Sequence, residues 1–503
     1  VNRSAAGQYD AIVVGGGPGG STVSTFVAMQ GYRVLLLEKE QFPRYQIGES
    51  LLPSTVHGIC RLLGVSQELA DAGFMPKRGG TFRWGRNPQP WTFAFSLSSR
   101  FGTEAATAYQ VERMKFDQIL LDNAARNGVE VRQRCTVVDV LDGGGRTEGV
   151  VFTDADGVRH EARARFVVDA SGNTSRIHGR VGGKRHYSEF FKNLALFGYY
   201  EGGKRLPPPN QGNILGAAFD SGWFWYIPLT DTLTSVGAVL RPDALDRARG
   251  DREQALSALI RDCPLIAGYL RDARRVVTGP YGEIRVRRDY SYCADRFWRP
   301  GMVLVGDAAC FIDPVFSSGV HLATYSALMA ARSINTVLRG DADEAACMAE
   351  FEARYRTEYS LFHDFLVAFY DMHQDEESYF WSAKKVTNSA ASDLESFVEL
   401  VGGAASSERA LVAPGSYAQR HSPAFRELSD LVDRPVAHDG ADRDLFGSSL
   451  VRSVVKGSAM VQVQAALGAN LDEHVPVRTG GLVPSVDGMH WSVPGAGAKA
   501  TTP

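Results

Sequence analysis

Gly15, Gly17 and Gly20 stand in the spacing Gly-x-Gly-x-x-Gly, between an apolar run at residues 9–14 and a helix-compatible stretch that ends at Gln30. The first glycine permits a tight turn, the second lets the backbone approach a pyrophosphate, and the third allows close helix–strand packing; the helix N-terminus offers free N–H groups to the anion. Glu38 closes a second apolar run at residues 33–37, where a carboxylate can accept from ribose hydroxyls. A lone glycine triplet is weak evidence. Two strands, a helix and a terminal carboxylate within about 30 residues make a nucleotide-binding βαβ unit. Residues 166–172 and 303–309 are further apolar strands running into Asp/Gly turns, and they place Asp169, Gly306 and Asp307 at strand ends. Alone, Asp307 reads as a turn or N-cap residue. Ser317, Ser318 and Gly319 open a helix expected over about 318–338, whose N-terminus attracts anions; capping serines account for the same residues. Residues 223–228, Trp-Phe-Trp-Tyr-Ile-Pro, read from composition as a buried aromatic strand ended by proline.

These residues need a scaffold. Residues 129–140, 149–152 and 158–164 alternate as strands, with turns at 142–145 and 156–157, and residues 165–168 form another strand. The β-branched and aromatic segment 193–240 predicts an antiparallel sheet inserted into the first domain. Helices are expected near 65–72 and 113–127 and, rich in aromatics, over 345–400. Within the last, Phe362, Tyr370, Tyr379, Phe380 and Trp381 read chiefly as core, with a share in lining an acceptor site. After Gly402 the chain turns rich in Ala, Gly, Ser and Pro, and part of it is expected to be mobile.

Composition narrows the function classes. The 503 residues hold 54 Lys and Arg against 57 Asp and Glu, a net charge of −3 with no block of like charge, which argues against a nucleic-acid partner. With 44% hydrophobic and 22% charged residues the chain is not disordered. No apolar run approaches the ~20 residues that span a bilayer, and residues 1–10 lack the apolar core of a signal peptide. Six cysteines without Cys-x-x-Cys spacing read as reduced thiols, so the expectation is a soluble cytoplasmic protein with no metal site.

With the three nucleotide motifs in this order, the chain resembles the FAD-dependent aromatic hydroxylase superfamily. The resemblance implies that Asp307 binds the ribityl chain, that the Asp169 segment lies near the nucleotide, and that Arg113, within residues 111–117, contacts FAD. Trp223, Trp225 and Pro228 fit the W-x-W-x-I-P pattern of flavin-dependent halogenases, and Lys77, downstream of Gly48-Glu49-Ser50, stands where that family carries its active-site lysine. Residues 42–44, 48–53 and 313–320 are most similar to the branch containing the chondrochloren halogenase. Its relatives act on phenolic or pyrrolic groups, often on a carrier protein. Tryptophan halogenases carry Glu where this chain has Phe316, so the substrate here must be more nucleophilic by itself. The likeness runs from about Tyr9 to Tyr379.

The resemblance implies an α/β fold: an FAD-binding Rossmann-like βαβ domain in three parts (1–80, 111–185 and 291–342), an inserted antiparallel-sheet substrate domain in two (81–110 and 186–290), and a helical C-terminal region (343–503). It implies reduced FAD from a separate flavin reductase and a halide near Ser317, Ser318 and Gly319. The hypohalous acid so formed passes by way of Lys77 to an electron-rich aromatic substrate, free or on an acyl carrier protein. Trp223, Trp225 and Pro228 would keep that ring from the flavin. His321 is the nearest histidine to serve as a base, and a structural role suits it equally. Two other readings are a single-component NAD(P)H-dependent hydroxylase or reductase, marked by flavin bleaching with NADPH alone, and an inactive flavin-binding protein.

Overall fold

The computed structural model describes residues 9–84, 90–97, 101, 106–371, 398–404, 408–411 and 478–494. Tyr379, Phe380 and Trp381 lie outside them, as does most of the chain after Gly402.

Strand β1 (Tyr9–Val14) runs into helix α1 (Pro18–Ala28) and returns through β2 (Val34–Leu37). β1 lies between β2 and β4 (Arg159–Asp169), parallel to both, and β8 (Met302–Leu304) pairs parallel with β4. Their apolar residues are buried on both faces, as a parallel sheet covered by helices requires. The register places Val14 opposite both Leu37 and Asp169, and Asp169 opposite Leu304. The carboxyl ends of four strands therefore meet along one edge, where open α/β sheets hold their ligands. Residues 158–164 and 165–168, read as two strands, form the single strand β4. Its first half pairs with the Arg146–Thr153 strand and its second half enters the parallel sheet, so no turn is needed between them.

A second sheet follows the order Cys310–Phe311, Arg285–Ala294, Arg185–Glu201, Leu233–Leu240, Gly222–Pro228, Ile214–Phe219, Gly79–Arg83, Trp91–Ala94. We number Arg185–Glu201 as β5, Gly222–Pro228 as β6, Arg285–Ala294 as β7 and Cys310–Phe311 as β9. The sheet is antiparallel except where Ile214–Phe219 runs parallel to Gly79–Arg83; these strands come from distant parts of the chain, so no hairpin sets their direction. Alternation along β6 sends Trp223, Trp225 and Ile227 into the large core shared with the parallel sheet. Phe224 and Tyr226 enter a smaller core under the Arg252–Arg261 helix.

Helix α3 (Ser318–Arg339) packs between α1 and helix α4 (Glu344–Asp371). The short pairing of Val483–Pro484 with Trp491–Ser492 docks on α3, with the Trp491 indole donating to Ser333. Among the described residues no helix is long and apolar enough to cross a membrane.

Candidate active site

The sheet edge gathers what the sequence picked out for a nucleotide. Gly15 has φ +103°, and a Cβ there would meet Ala170 O at 2.5 Å; a Cβ on Gly20 would meet Gly15 O at 1.9 Å. The turn therefore closes only with glycine at both positions. Gly17 is the N-cap of α1 and makes no side-chain capping hydrogen bond, so the helix N-terminus carries donors that no cap side chain takes up. Glu38 is buried at the end of β2, where Oε2 accepts from Gly16 N at 2.6 Å and Oε1 from Glu40 N. Asp169 lies at the same edge, but its carboxylate is taken up locally: Oδ1 accepts from Ser171 and Oδ2 from Ser175. It shapes the loop after β4 rather than presenting free oxygens. Burial raises its carboxyl, and those hydrogen bonds pull it back only in part.

Arg113 opens helix α2 (Arg113–Arg126). Its fork is engaged by Asp117 at 2.7 and 2.9 Å and by the Ile47 carbonyl, and Arg44 joins the same Asp117 at 3.0 Å. The arginine thus fixes the residue 47–49 loop at the site. Gly306 has φ +61° and is clamped between Ser326, which accepts from its N–H, and Tyr355, which donates to its carbonyl. Burial lifts the Asp307 carboxyl to about 6 against the opposing pull of Arg113, Arg185 and Arg287.

Lys77 ends strand β3 (Met75–Lys77), which pairs with Ala108–Gln110. It is only 3% exposed. Its Nζ donates to Leu51 O at 3.0 Å and sits 5.5 Å from the Phe95 ring centroid. The strand end is locked from both sides: Arg78 N donates to Asn213 Oδ1, and Gly212 passes so close that a Cβ there would meet Pro76 O at 1.9 Å. Burial, with no charged partner among the causes, lowers the amine to about 7.

A run of rings leads from this amine to the tryptophans. Phe95 contacts Phe93, Phe93 stacks on Phe82, and Phe82 meets Trp84, whose ring lies 6.1 Å from Trp223, itself 6.2 Å from Trp225. Trp225 Nε1 donates to Ser235, and the ring fits because position 237 is glycine: a Cβ there would come within 2.3 Å of the indole. Trp223 Nε1 donates to Tyr370 Oη at 2.6 Å. That hydroxyl donates to Asp313 Oδ2 at 2.7 Å, which also receives Asn193. Pro228 ends β6 opposite Thr234.

Phe316 sits against Phe82 and Phe369. Next to it the chain turns left-handed at Ser317, φ 62°, and α3 begins. Ser318 is fully buried and its hydroxyl has no partner among the described residues; the buried Ser50 hydroxyl is likewise without one. Gly319 follows in the first turn with open space where a side chain would stand. His321 lies one turn into α3 with no exposure, held by Ser54 at 3.0 Å and Glu358 at 2.6 Å. It is a core histidine with no approach for an arene. The ring run and the Asn193–Asp313–Tyr370–Trp223 network were not read from the sequence, because their members come from separated segments with no shared spacing.

The residues fit a flavin dinucleotide: a glycine cradle, an uncapped helix N-terminus, and buried hydroxyls left without protein partners. Among the described residues no group of His, Cys, Asp or Glu is placed to hold a metal ion. The tryptophan halogenase family profile matches residues 10–105 and 98–429. The tryptophan 2-halogenase of Chondromyces crocatus is 33% identical over 75% of this chain and 70% of its own length. The flavin-dependent halogenase gsfI of Penicillium aethiopicum is 34% identical over 70% of this chain and 69% of its own. Among solved structures, the myxobacterial chondrochloren halogenase CndH, an FAD-dependent halogenase, is 51% identical with a TM-score of 0.74, covering 97% of this chain and 100% of that one. Aklavinone-11 hydroxylase, 19% identical with a TM-score of 0.60, shares the fold. The chain belongs to the flavin-dependent halogenases.

Proposed function

We propose that this enzyme halogenates an electron-rich aromatic ring, phenolic or pyrrolic, through Lys77, with reduced FAD delivered by a separate flavin reductase. One observation carries the reading: the Lys77 amine is buried with no counter-ion among the described residues, which brings it to about 7 and keeps a large neutral fraction available near neutral pH. Only the neutral amine has the lone pair that can take up or hold hypohalous acid.

FAD, when bound and reduced, supplies the oxygen chemistry that converts halide to hypohalous acid. The remaining tasks fall to the chain. Gly15, Gly17 and Gly20 admit the pyrophosphate, Glu38 accepts from ribose, and Asp169, Arg113, Gly306 and Asp307 shape the rest of the cofactor's bed. The halide is held at Ser317, Ser318 and Gly319, where the first N–H groups of α3 and the unpartnered Ser318 hydroxyl supply donors. The wall containing Trp223, Trp225 and Pro228 keeps the arene from the flavin.

The substrate class follows from what surrounds the amine. Among the described residues no carboxylate acts on Lys77, and Phe316 continues the aromatic wall where a glutamate would polarise the oxidant. The ring must bring its own activation, as a phenol or pyrrole does. Presentation on an acyl carrier protein belongs to this proposal and is tested by comparing free and carrier-loaded substrate. The test of the whole reading is Lys77→Ala supplied with reduced FAD, halide and oxygen. The expected result is oxygen consumption at the wild-type rate with no halogenated arene; normal product yield would remove Lys77 from the mechanism.

A further inference from the structure

The six cysteines of the chain are free thiols, and two of them face each other. Cys293 on β7 pairs in register with Cys310 on β9. The neighbouring pair is joined by Ala294 N donating to Ala309 O, so Cys293 and Cys310 form the non-hydrogen-bonded pair of the ladder. In such pairs the Cα atoms lie about 4.5 Å apart with side chains on the same face, within the span of a disulfide. Cys293 Sγ donates to Ala294 O at 3.8 Å and receives Arg356 Nη1 at 3.3 Å.

The two differ in character. Cys293 is partly exposed, while Cys310 is buried. The neighbouring Cys310 and the Arg356 charge hold the Cys293 thiol below its ordinary value; burial and its neighbour push Cys310 well above. Cys60 and Cys347 are buried and pushed up to about 12, and burial also raises Cys135 and Cys263. An accessible thiol beside a guanidinium with a second thiol behind it is the arrangement of an oxidant-reactive pair.

We infer that Cys293 and Cys310 form a redox-active dithiol site that takes hydroperoxide or hypohalous oxidants and closes to a cross-strand disulfide. With hydrogen peroxide, the Cys293 thiolate attacks one oxygen and the O–O bond breaks, giving a sulfenic acid and hydroxide. The Cys310 thiol then displaces that hydroxyl as water, forming the S–S bond. The proton lost when the Cys293 thiol ionises neutralises the hydroxide, so two thiols and one peroxide yield one disulfide and two waters. With hypohalous acid the Cys293 thiolate takes the halogen and hydroxide leaves, giving a sulfenyl halide; Cys310 then expels halide as the S–S bond forms, and the Cys310 proton neutralises the hydroxide. The site lies beside the cofactor loop: Cys310 follows Asp307 by three residues, and the Tyr292 hydroxyl, next to Cys293, donates to the Asp307 carbonyl. Oxidant escaping that loop meets this pair, which removes one equivalent at the expense of a bond that thiols reverse.

The test uses the reduced full-length protein and hydrogen peroxide, so it stands apart from the halogenation reading. After brief exposure, free thiols are alkylated and the protein is mapped by mass spectrometry. The expected result is a peptide linked through Cys293 and Cys310, formed at least about tenfold faster than oxidation at any other cysteine and reversed by dithiothreitol. Cys310→Ser should leave a dimedone-trappable sulfenic acid on Cys293, and Cys293→Ser should abolish the fast phase. Absence of the linked peptide, comparable oxidation at the other four cysteines, or sulfinic acid on Cys293 with Cys310 still free would each overturn the inference.

Discussion

Two buried cationic sites treat charge in opposite ways. Lys77 sits in an interior of rings and backbone, donating to Leu51 O, and among the described residues no carboxylate is paired with it. Arg332, fully buried on α3, has every arm employed: Glu408 accepts at 2.9 and 3.2 Å, Gly488 O at 2.7 Å, and the Trp491 ring covers the guanidinium at 4.8 Å. Burial alone would raise the Glu408 carboxyl, yet Arg332 holds it below the ordinary range. A compensated pair is structural: it joins the docked 478–494 segment to the helical layer. An uncompensated amine is costly to charge in place, and in the proposed mechanism that cost is what keeps it reactive.

The largest break in this contrast comes from Lys77→Met. Halogenated product should fall by at least about 100-fold, while urea melts at neutral pH should show no loss of stability, because an apolar side chain replaces a poorly solvated amine. Glu408→Ala should do the reverse. Leaving Arg332 buried and unpaired should cost roughly 3–5 kcal/mol in denaturant titrations, with product formed per folded molecule unchanged.

The pH dependence sharpens the same comparison. The folded Lys77 amine at about 7 is depressed from its ordinary 10.5, so the unfolded chain binds the extra proton between these values. Its contribution to stability is therefore fully present above about 10.5 and lost as pH falls through about 7. Stability of the wild type minus that of Lys77→Met, followed by urea titration across this window, should rise with pH. Product formation should rise through about pH 7 as the neutral amine accumulates.

Smaller effects test the ring wall. Gly237→Ala drives a methyl into the Trp225 indole and should cost about 1–3 kcal/mol by thermal melts. Trp223→Phe removes the N–H that meets Tyr370 and should cost about 1 kcal/mol.

The glycine turn and the strand ends at the sheet edge were legible in the sequence because their requirements are local. Gly15 and Gly20 are dictated by a turn that tolerates no side chain, and Glu38 and Asp169 by the ends of short apolar strands. Lys77 carried no such mark: a lysine near a strand end is usually solvated, and only the family resemblance singled it out. Its burial depends on Leu51, Phe95 and Gly212, which are distant in sequence. His321 beside the serine turn read as well for a base as for core. Contacts from Ser54 and Glu358, 267 and 37 residues away, decide for core. The Arg332–Glu408–Trp491 clasp was likewise invisible, since Arg332 lies on α3 while Glu408 and Trp491 lie 76 and 159 residues further on, in a segment whose composition resembles a linker.

The most direct measurement is the titration of Lys77 itself, by heteronuclear NMR of lysine-labelled protein with Lys77→Met identifying the signal. The account predicts a midpoint near 7 with a neutral amine above it. A midpoint above about 10, the range of a solvated lysine, would contradict the claim that isolation in the interior is what makes this amine reactive.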